Sequence, residues 1–200
     1  MTGISGRPRS RASWQCAGAA LLAAACGGRA STKTGVDPNA ARVVPVASAI
    51  VLETAGPPPS DTTVTFTAGE RRVIVLRHGP PENVVFAELV FPPSAFRADS
   101  GRPVRVDVRP RPGVYGLDLT TSAPLGEGAS VIFKYARYFS APARARAAYG
   151  SDVVYERALA VGQYRAGGTE LALLPSTRPV ADDLQALLPS AGSYVVAAAK

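Results

Sequence analysis

The sequence predicts an all-β domain, an antiparallel β-sandwich of the immunoglobulin-like or ZU-like kind, preceded by an N-terminal signal and a tether. Three observations predict this fold class. Short segments alternate apolar and polar residues at the two-residue period of a half-buried strand. Glycine (19 residues) and proline (18 residues) are plentiful and cluster between those segments as turn signals. Stretches with a helical period are scarce, which disfavours a helical bundle.

Composition limits both the size and the chemistry of the chain. Its 200 residues allow one domain with tails. Apolar residues make up 46% and charged residues 18%, a balance that excludes a wholly disordered chain. The net charge is +7, and all but three of the 22 basic residues are arginine. A GC-rich genome explains this arginine usage better than a nucleic-acid partner does, so no nucleic-acid binding is predicted.

Residues 1–25 have the pattern of a secretory signal peptide. Arg7, Arg9 and Arg11 precede an apolar run of small residues that ends at Ala25, with no acidic residue before it. A membrane span needs about 20 apolar residues, and this run is about half that length. The pattern therefore predicts export of the chain and removal of the segment.

The end of the apolar run resembles the lipobox of bacterial lipoproteins. The matching residues are Leu21-Leu22-Ala23-Ala24-Ala25-Cys26-Gly27. The resemblance implies cleavage before Cys26, attachment of diacylglycerol to its thiol, and a membrane partner bound through this lipid anchor. The same small residues also suit an ordinary signal peptidase, which would leave a secreted chain with a free thiol at Cys26. Either product has a single cysteine and hence no internal disulfide.

Residues 26–62 are predicted to form a flexible tether, and residues 63–200 the β-sandwich domain. The tether is rich in polar residues and turn formers and contains Pro57-Pro58-Pro59. Within it, residues 42–53 are apolar enough to add a strand.

Nine strands are predicted in the domain, together with two helix candidates. Gly167-Gly168 is predicted as a two-residue hairpin turn. Residues 140–149 begin with Ser140 as a possible N-cap and are predicted to form one or two helical turns, and residues 178–188 are the second helix candidate. The predicted strands are 63–67, 71–76, 84–91, 104–108, 115–119, 131–135, 158–164, 169–174 and 193–198.

Several of these segments resemble the ZU-type domain of ankyrins, netrin receptors and bacterial surface proteins. Leu89-Val90-Phe91-Pro92-Pro93-Ser94-Ala95-Phe96 is similar to the family's strand followed by "P-P-G-A-L". Gly167-Gly168 and Leu173-Leu174-Pro175-Ser176 are similar to a hairpin of its bacterial members. The resemblance covers residues 63–199 and implies a binding or structural module without an active site.

Few residues are suited to catalysis or metal binding. His78 is the single histidine, and its Gly/Pro-rich surroundings predict a surface loop without a nucleophile nearby. Asp182-Asp183 is predicted to be a solvated turn or helix start. No spacing typical of a zinc, calcium or nucleotide site is present, so no cofactor or metal is predicted. A glycosidase would need two converging acids, and the candidates on strands are Glu53, Glu88, Asp107, Asp118 and Glu170.

Other side chains have both a structural and a binding interpretation. Tyr115, Phe133 and Tyr135 are predicted to face the core, and either Tyr138 or Phe139 is a candidate for an exposed, sugar-stacking ring. Asp107 is expected to pair with Arg105. An arginine-rich stretch contains Arg137, Arg144 and Arg146. These side chains are expected either to face solvent or to contact anionic lipid next to the anchor.

The sequence thus predicts a cell-envelope lipoprotein whose β-sandwich is a structural or protein-interaction module, not an enzyme. Its expected partners are the membrane, through Cys26, and an envelope protein or glycan. The alternative is a secreted domain without a lipid anchor that binds carbohydrate or peptide.

Overall fold

The computed structural model describes residues 41–200. Within them, two antiparallel sheets pack face to face, which confirms the predicted all-β sandwich. The predicted signal peptide, the lipidation site Cys26 and the first part of the tether lie outside the described residues.

The first sheet has eight strands. They are β1 (Arg42–Pro45), β2 (Ala49–Val51), β3 (Thr62–Thr67), β6 (Pro103–Pro110), β7 (Gly116–Thr121), β9 (Ala160–Arg165), β10 (Glu170–Leu173) and β13 (Gly192–Ala199). Their spatial order is β1-β10-β9-β13-β7-β6-β3, and β2 pairs with the end of β13 beyond β7.

The second sheet has five strands. They are β4 (Arg72–Arg77), β5 (Val85–Phe91), β8 (Ser130–Lys134), β11 (Ser176–Thr177) and β12 (Asp183–Leu187). Their order is β11-β12-β8-β5-β4, so β4 is an edge strand of this sheet.

The period-two pattern of the sequence determines which side chains enter the core. In β6, Val104, Val106 and Val108 are buried, whereas Arg105 and Asp107 point away from the core. This alternation is that of a strand with one face on a core and the other in solvent.

Aromatic side chains fill the space between the sheets. The rings of Phe86 and Tyr115 stack at 5.4 Å, and Phe133 meets Phe86 edge-on at 5.9 Å. Tyr115, Phe133 and Tyr135 are fully buried, which confirms their predicted core positions. These contacts tie β5 and β8 of the second sheet to the residue that precedes β7 of the first.

The folded domain begins earlier than the predicted boundary at residue 63. Residues 42–53 do supply the expected added strand, in the form of β1 and β2, which pair with β10 and β13. A short 3-10 turn, Val46–Ser48, connects these two strands. The segment helps to bury a second apolar cluster, which contains Val44, Leu171, Leu173, Val195 and Ala197. Residues 41–62 are therefore part of the domain rather than of a flexible tether, because their strands pair within its first sheet and Val44, Ile50 and Leu52 are buried in it.

The predicted hairpin joins β9 and β10, but its loop is longer than expected. Arg165 pairs with Glu170, which leaves the four residues 166–169 in the loop instead of two. Ala166, Gly167 and Gly168 all have positive φ values (49°, 66° and 94°). Positive φ values favour glycine, and the Gly167-Gly168 pair occupies two of these three positions.

One helix prediction is confirmed and one is wrong. α1 (Ala143–Tyr149) lies where a helix was expected, although Pro142 and not Ser140 is its N-cap. α2 (Asp152–Ala158) follows it and was not predicted; the Ser151 hydroxyl accepts a hydrogen bond from the amide of Val154 at 3.3 Å. Residues 178–188 contain β12 and not a helix, because Leu184 and Ala186 enter the core at the two-residue spacing of a strand.

Candidate functional site

The chain enters the domain at the edge of the first sheet. Residues 27–41 separate Cys26 from Arg42, where β1 begins. The 16 Cα–Cα steps from Cys26 to Arg42 span at most about 58 Å when fully extended. A lipid on Cys26 would therefore hold the sandwich within that distance of a membrane surface.

His78 is buried, so its predicted place on a surface loop is wrong. Its side chain lies under the segment that precedes β3, with only 1% of the residue exposed. Its Nδ1 atom is 2.8 Å from the carbonyl oxygen of Pro57. Because a carbonyl oxygen only accepts hydrogen bonds, Nδ1 carries the hydrogen. The ring meets Tyr138 and Phe86 edge-on at 4.7 Å and 5.2 Å, and Nε2 has no hydrogen-bond partner in the described part of the chain.

Four of the five acidic residues that the sequence suggested for hydrolysis pair with cations. Arg105 binds Asp107 at 2.9 Å, as expected, and hydrogen bonds from this guanidinium lower the pKa of the Asp107 carboxyl. Glu170 is exposed beside the β9–β10 hairpin. Three other acids lie within 4 Å of a cation, in the pairs Glu53–Arg144 (2.7 Å), Glu88–Lys134 (3.7 Å) and Asp118–Arg111 (3.0 Å).

Asp183 was predicted to lie in a solvated turn, and this is wrong. It is the first residue of β12, and only 7% of its side chain is exposed. Its Oδ2 atom accepts a hydrogen bond from Lys134 Nζ at 2.7 Å, which raises the pKa of that lysine. Within residues 41–200, no group of three or more His, Cys, Asp or Glu side chains is arranged to hold a metal ion.

The three arginines considered for lipid contact are exposed but paired. More than half of each side chain is exposed, and each guanidinium lies within 3 Å of a carboxylate. Their charges are therefore balanced locally, which weakens any attraction to anionic lipid. The pairs are Arg137–Glu82, Arg144–Glu53 and Arg146–Asp152.

Neither Tyr138 nor Phe139 provides the exposed ring that the sequence suggested. Both are half-buried and pack against the main core. Tyr138 contacts His78, and Phe139 contacts Tyr135 with ring centroids 5.8 Å apart.

Two recesses on the surface were not foreseen from the sequence. The first, of about 620 Å³, lies between the loop that contains Gly126 and Gly128 and the ends of β10 and β12, with Arg165 at its rim. The second, of about 420 Å³, contains Arg111, Asp118 and Tyr164. The Arg111 guanidinium lies 5.0 Å from the centroid of the Tyr164 ring and 3.0 Å from Asp118, so both groups already hold it.

The outer edge of β4 pairs with no other strand in the described part of the chain. β4 pairs with β5 alone, in regular register from Arg72 to Leu76, before a bulge at Arg77. No backbone hydrogen bond joins residues 72–76 to another element of the described chain. Alternate N–H and C=O groups of an edge strand point away from its partner. Val75 is 42% exposed there, on the outward face of the sheet.

Arginines flank this edge at both ends. Arg71 and Arg72 precede its apolar residues, and Arg77 follows them; all three are exposed. Within residues 41–200, none of the three lies within 4 Å of a carboxylate. The sequence predicted a strand here but not its position at an edge, because that position depends on how distant strands pair.

No family model, curated protein or solved structure matches the chain. The motif that resembles ZU-type domains forms the end of β5 and a turn, in which the Ala95 amide donates to the Pro92 carbonyl at 2.9 Å. The structure therefore defines the class of the protein as an all-β sandwich, in which arginines flank the edge strand β4. Within the described residues, no helix is both long and apolar enough to span a membrane.

Proposed function

We propose that this chain is a lipid-anchored protein of the bacterial cell envelope and that its sandwich is a non-catalytic interaction module. The order of segments along the chain carries the proposal. A basic segment, a short apolar run and Cys26 come first, and a β-sandwich begins at Arg42. A segment of this kind is typical of exported proteins.

A lipid on Cys26 would keep the domain at a membrane surface. A single acyl chain binds membranes only marginally, whereas two or more anchor a protein stably. Diacylglycerol on the Cys26 thiol supplies two chains. The first strand of the sandwich would then lie within about 58 Å of the membrane surface, and its partner would be an envelope protein or glycan within reach of that surface.

The charges of the sandwich support an interaction role. Four of the five acids suggested for hydrolysis are tied into ion pairs, such as Asp107 with Arg105 and Glu53 with Arg144. The single histidine is buried and bonded to Pro57. By contrast, the outer edge of β4 pairs with no other strand of the described residues, and none of its arginines lies within 4 Å of a carboxylate there. Edge strands of this kind are a common place for a second chain to bind.

A second candidate is a secreted domain that binds carbohydrate. The recess at Tyr164 favours it, because an aromatic ring beside Arg111 and Asp118 provides both apolar and hydrogen-bonding contacts. In this alternative the chain has no lipid anchor, and the thiol of Cys26 is free.

Fractionation of a Gram-negative host that expresses the full chain tests the proposal. We expect the wild-type protein in the membrane fraction and Cys26→Ser in the soluble exported fraction. Cys16→Ser is the matched control, because it removes the other cysteine of the chain and leaves the lipobox-like residues intact. A soluble wild-type protein would contradict the anchor and favour the secreted alternative.

A further inference from the structure

We propose that the outer edge of β4 binds an extended, acidic peptide segment of an envelope protein as an added strand. This inference specifies the partner for the interaction role proposed above and rests on that role. It is carried by three features of β4, namely its open backbone, its outward side chains and its charge.

The backbone of β4 provides the hydrogen-bonding edge on which a peptide strand can be added. Residues 72–76 pair regularly with β5 on one side and with no described element on the other. An added strand would complete the ladder and satisfy the N–H and C=O groups that point outward. The bulge at Arg77 ends the regular register and limits the template to about five residues.

The other strands at sheet edges fit a docked strand less well. β1 has four residues and ends in Pro45, which has no amide hydrogen to donate, and β11 has only two residues. β3 has six residues, but Asp61 beside it already faces Arg109 at 3.8 Å. β4 alone among these edges combines a regular template with unpaired positive charge.

Side chains on β4 give an added strand apolar contacts. Val73 and Val75 lie on the outward face, opposite Val90 and Glu88 of β5. Ile74 and Leu76 lie on the inward face and are buried. A docked strand with small or β-branched residues at alternate positions would extend the outward row, since neighbouring side chains on one face of a sheet contact each other.

The charge at this edge selects an acidic partner. Arg71 and Arg77 are six residues apart, or about 20 Å along a strand. Arg72 is held over the ring of Phe66 at 5.7 Å, and Arg77 donates to the Asn83 carbonyl at 3.0 Å. Glu70 is the one acid next to them in the chain. Carboxylates at both ends of a docked peptide would meet these guanidinium groups in charge-assisted hydrogen bonds.

The same charges disfavour a second copy of this chain as the occupant. In an antiparallel pair of two β4 strands centred on Ile74, Arg71 of each copy would lie opposite Arg77 of the other. Like charges opposite each other destabilise a strand pair. The arginines thus act against self-pairing while they favour an acidic strand.

A short synthetic peptide tests the proposal directly. The probe is acetyl-Glu-Thr-Val-Thr-Val-Thr-Glu-amide, added to the full chain purified in detergent, with affinity measured by calorimetry and contacts by amide hydrogen exchange. We expect saturable binding, slower exchange of the amides of residues 72–76, and weaker binding as salt increases. The double variant Arg71→Glu/Arg77→Glu should weaken binding by about tenfold or more.

Matched controls separate strand addition from simple charge attraction. Arg102→Glu/Arg109→Glu makes the same change in net charge near β6, at side chains that are 72% exposed, and should leave the affinity unchanged. A peptide with lysine in place of glutamate should not bind. A peptide with a central proline should not bind either, because it cannot complete the ladder.

Several results would overturn the inference. They are no binding of the acidic peptide at millimolar concentration, equal loss of affinity in the two double variants, or slowed exchange at another site. Concentration-dependent self-association through β4 would assign the edge to a second copy instead. The peptide assay reads binding and not acylation, so its failure is distinguishable from failure of the anchor.

Discussion

The Nδ1 atom of His78 donates a hydrogen bond to the carbonyl oxygen of Pro57 at 2.8 Å. This contact joins the residue after β4 to the segment that leads into β3, and thus links the two sheets at one end of the sandwich. The packing here is tight, because a Cβ added to Gly56 would lie 2.6 Å from the Tyr138 ring and 2.9 Å from His78. The histidine therefore has a structural role in the described domain.

Replacement of His78 by alanine should destabilise the domain strongly. The change would leave a cavity beside Phe86 and Tyr138 and remove the donor to Pro57. Large-to-small substitutions in a core cost about 2–5 kcal/mol. We expect a loss in this range in the free energy of unfolding, measured by urea denaturation followed by circular dichroism.

His78→Phe is the matched control. It keeps most of the ring volume but removes the donor, and the Pro57 carbonyl still accepts a hydrogen bond from Gly79 at 3.4 Å. Its cost should therefore be smaller, about 1 kcal/mol. A His78→Ala variant as stable as the wild type would contradict the buried position.

Loss of Lys134 should destabilise the second sheet. Lys134→Met would leave the Asp183 carboxylate, whose side chain is 7% exposed, without its cation at 2.7 Å. An unpaired buried charge lowers the free energy of unfolding by about 3–5 kcal/mol. Because this lysine is partly exposed, we expect a decrease near the lower limit of that range. Thermal unfolding of the variant and of the wild type measures the difference.

Glu88→Gln provides the comparison for Lys134. Glu88 is 3.7 Å from the same ammonium group, and 29% of its side chain is exposed. Its removal should cost less than about 1 kcal/mol. Equal effects of the two substitutions would show that Asp183 does not depend on Lys134.

Gly116 should not tolerate a side chain. A Cβ at this position would lie 2.7 Å from the Tyr194 carbonyl oxygen, a backbone atom of the paired strand β13. Gly116→Ala should therefore cost about 1–3 kcal/mol, as overpacking does. Gly79→Ala is the control, since its nearest contact is at 3.5 Å, and it should fold as well as the wild type. Equal stability of the two variants would contradict the described packing of β7 on β13.

The domain should unfold at high pH through its buried tyrosines. Burial raises the pKa of Tyr115 and of Tyr194 to about 12, and it also raises the pKa of Tyr155. In the unfolded chain these phenols titrate near 10. Above about pH 10 the unfolded chain loses these phenol protons while the folded domain keeps them, so the free energy of unfolding falls. The fall is roughly 1.4 kcal/mol per pH unit for each tyrosine until the pH approaches 12, and below about pH 10 it is absent.

Tyrosinate absorbance and circular dichroism, recorded in one alkaline titration, test this prediction. We expect part of the tyrosinate signal to appear only as the β-sheet signal is lost. Ionisation of all tyrosines near pH 10 with the fold intact would contradict their burial.

The sequence predicts local strands well and their arrangement poorly. The valines of β6 alternate with charged residues, so strand and inward face follow from residues 104–108 alone. At the start of β12, the pair Asp182-Asp183 suggested a turn or a helix start. Asp183 is buried instead, because Lys134 on the neighbouring strand pairs with its carboxylate. That pairing joins residues 49 positions apart, and no local pattern encodes it.

The same limit applies to the candidate sites. His78 follows a predicted strand and precedes Gly79-Pro80, which favours a loop, but its burial depends on Pro57, 21 residues earlier. The arginines around β4 are visible in the sequence as charges flanking an apolar strand. Their value as a docking site depends on β4 being an edge strand, which only the complete sheet order defines.

The intact mass of the membrane-fraction protein tests the central claim most directly, namely that the sandwich is anchored by a lipid on Cys26. We expect the mass of residues 26–200 plus acyl groups, and the loss of those groups in Cys26→Ser but not in Cys16→Ser. An unmodified mature chain, recovered from the soluble exported fraction, would contradict the anchor.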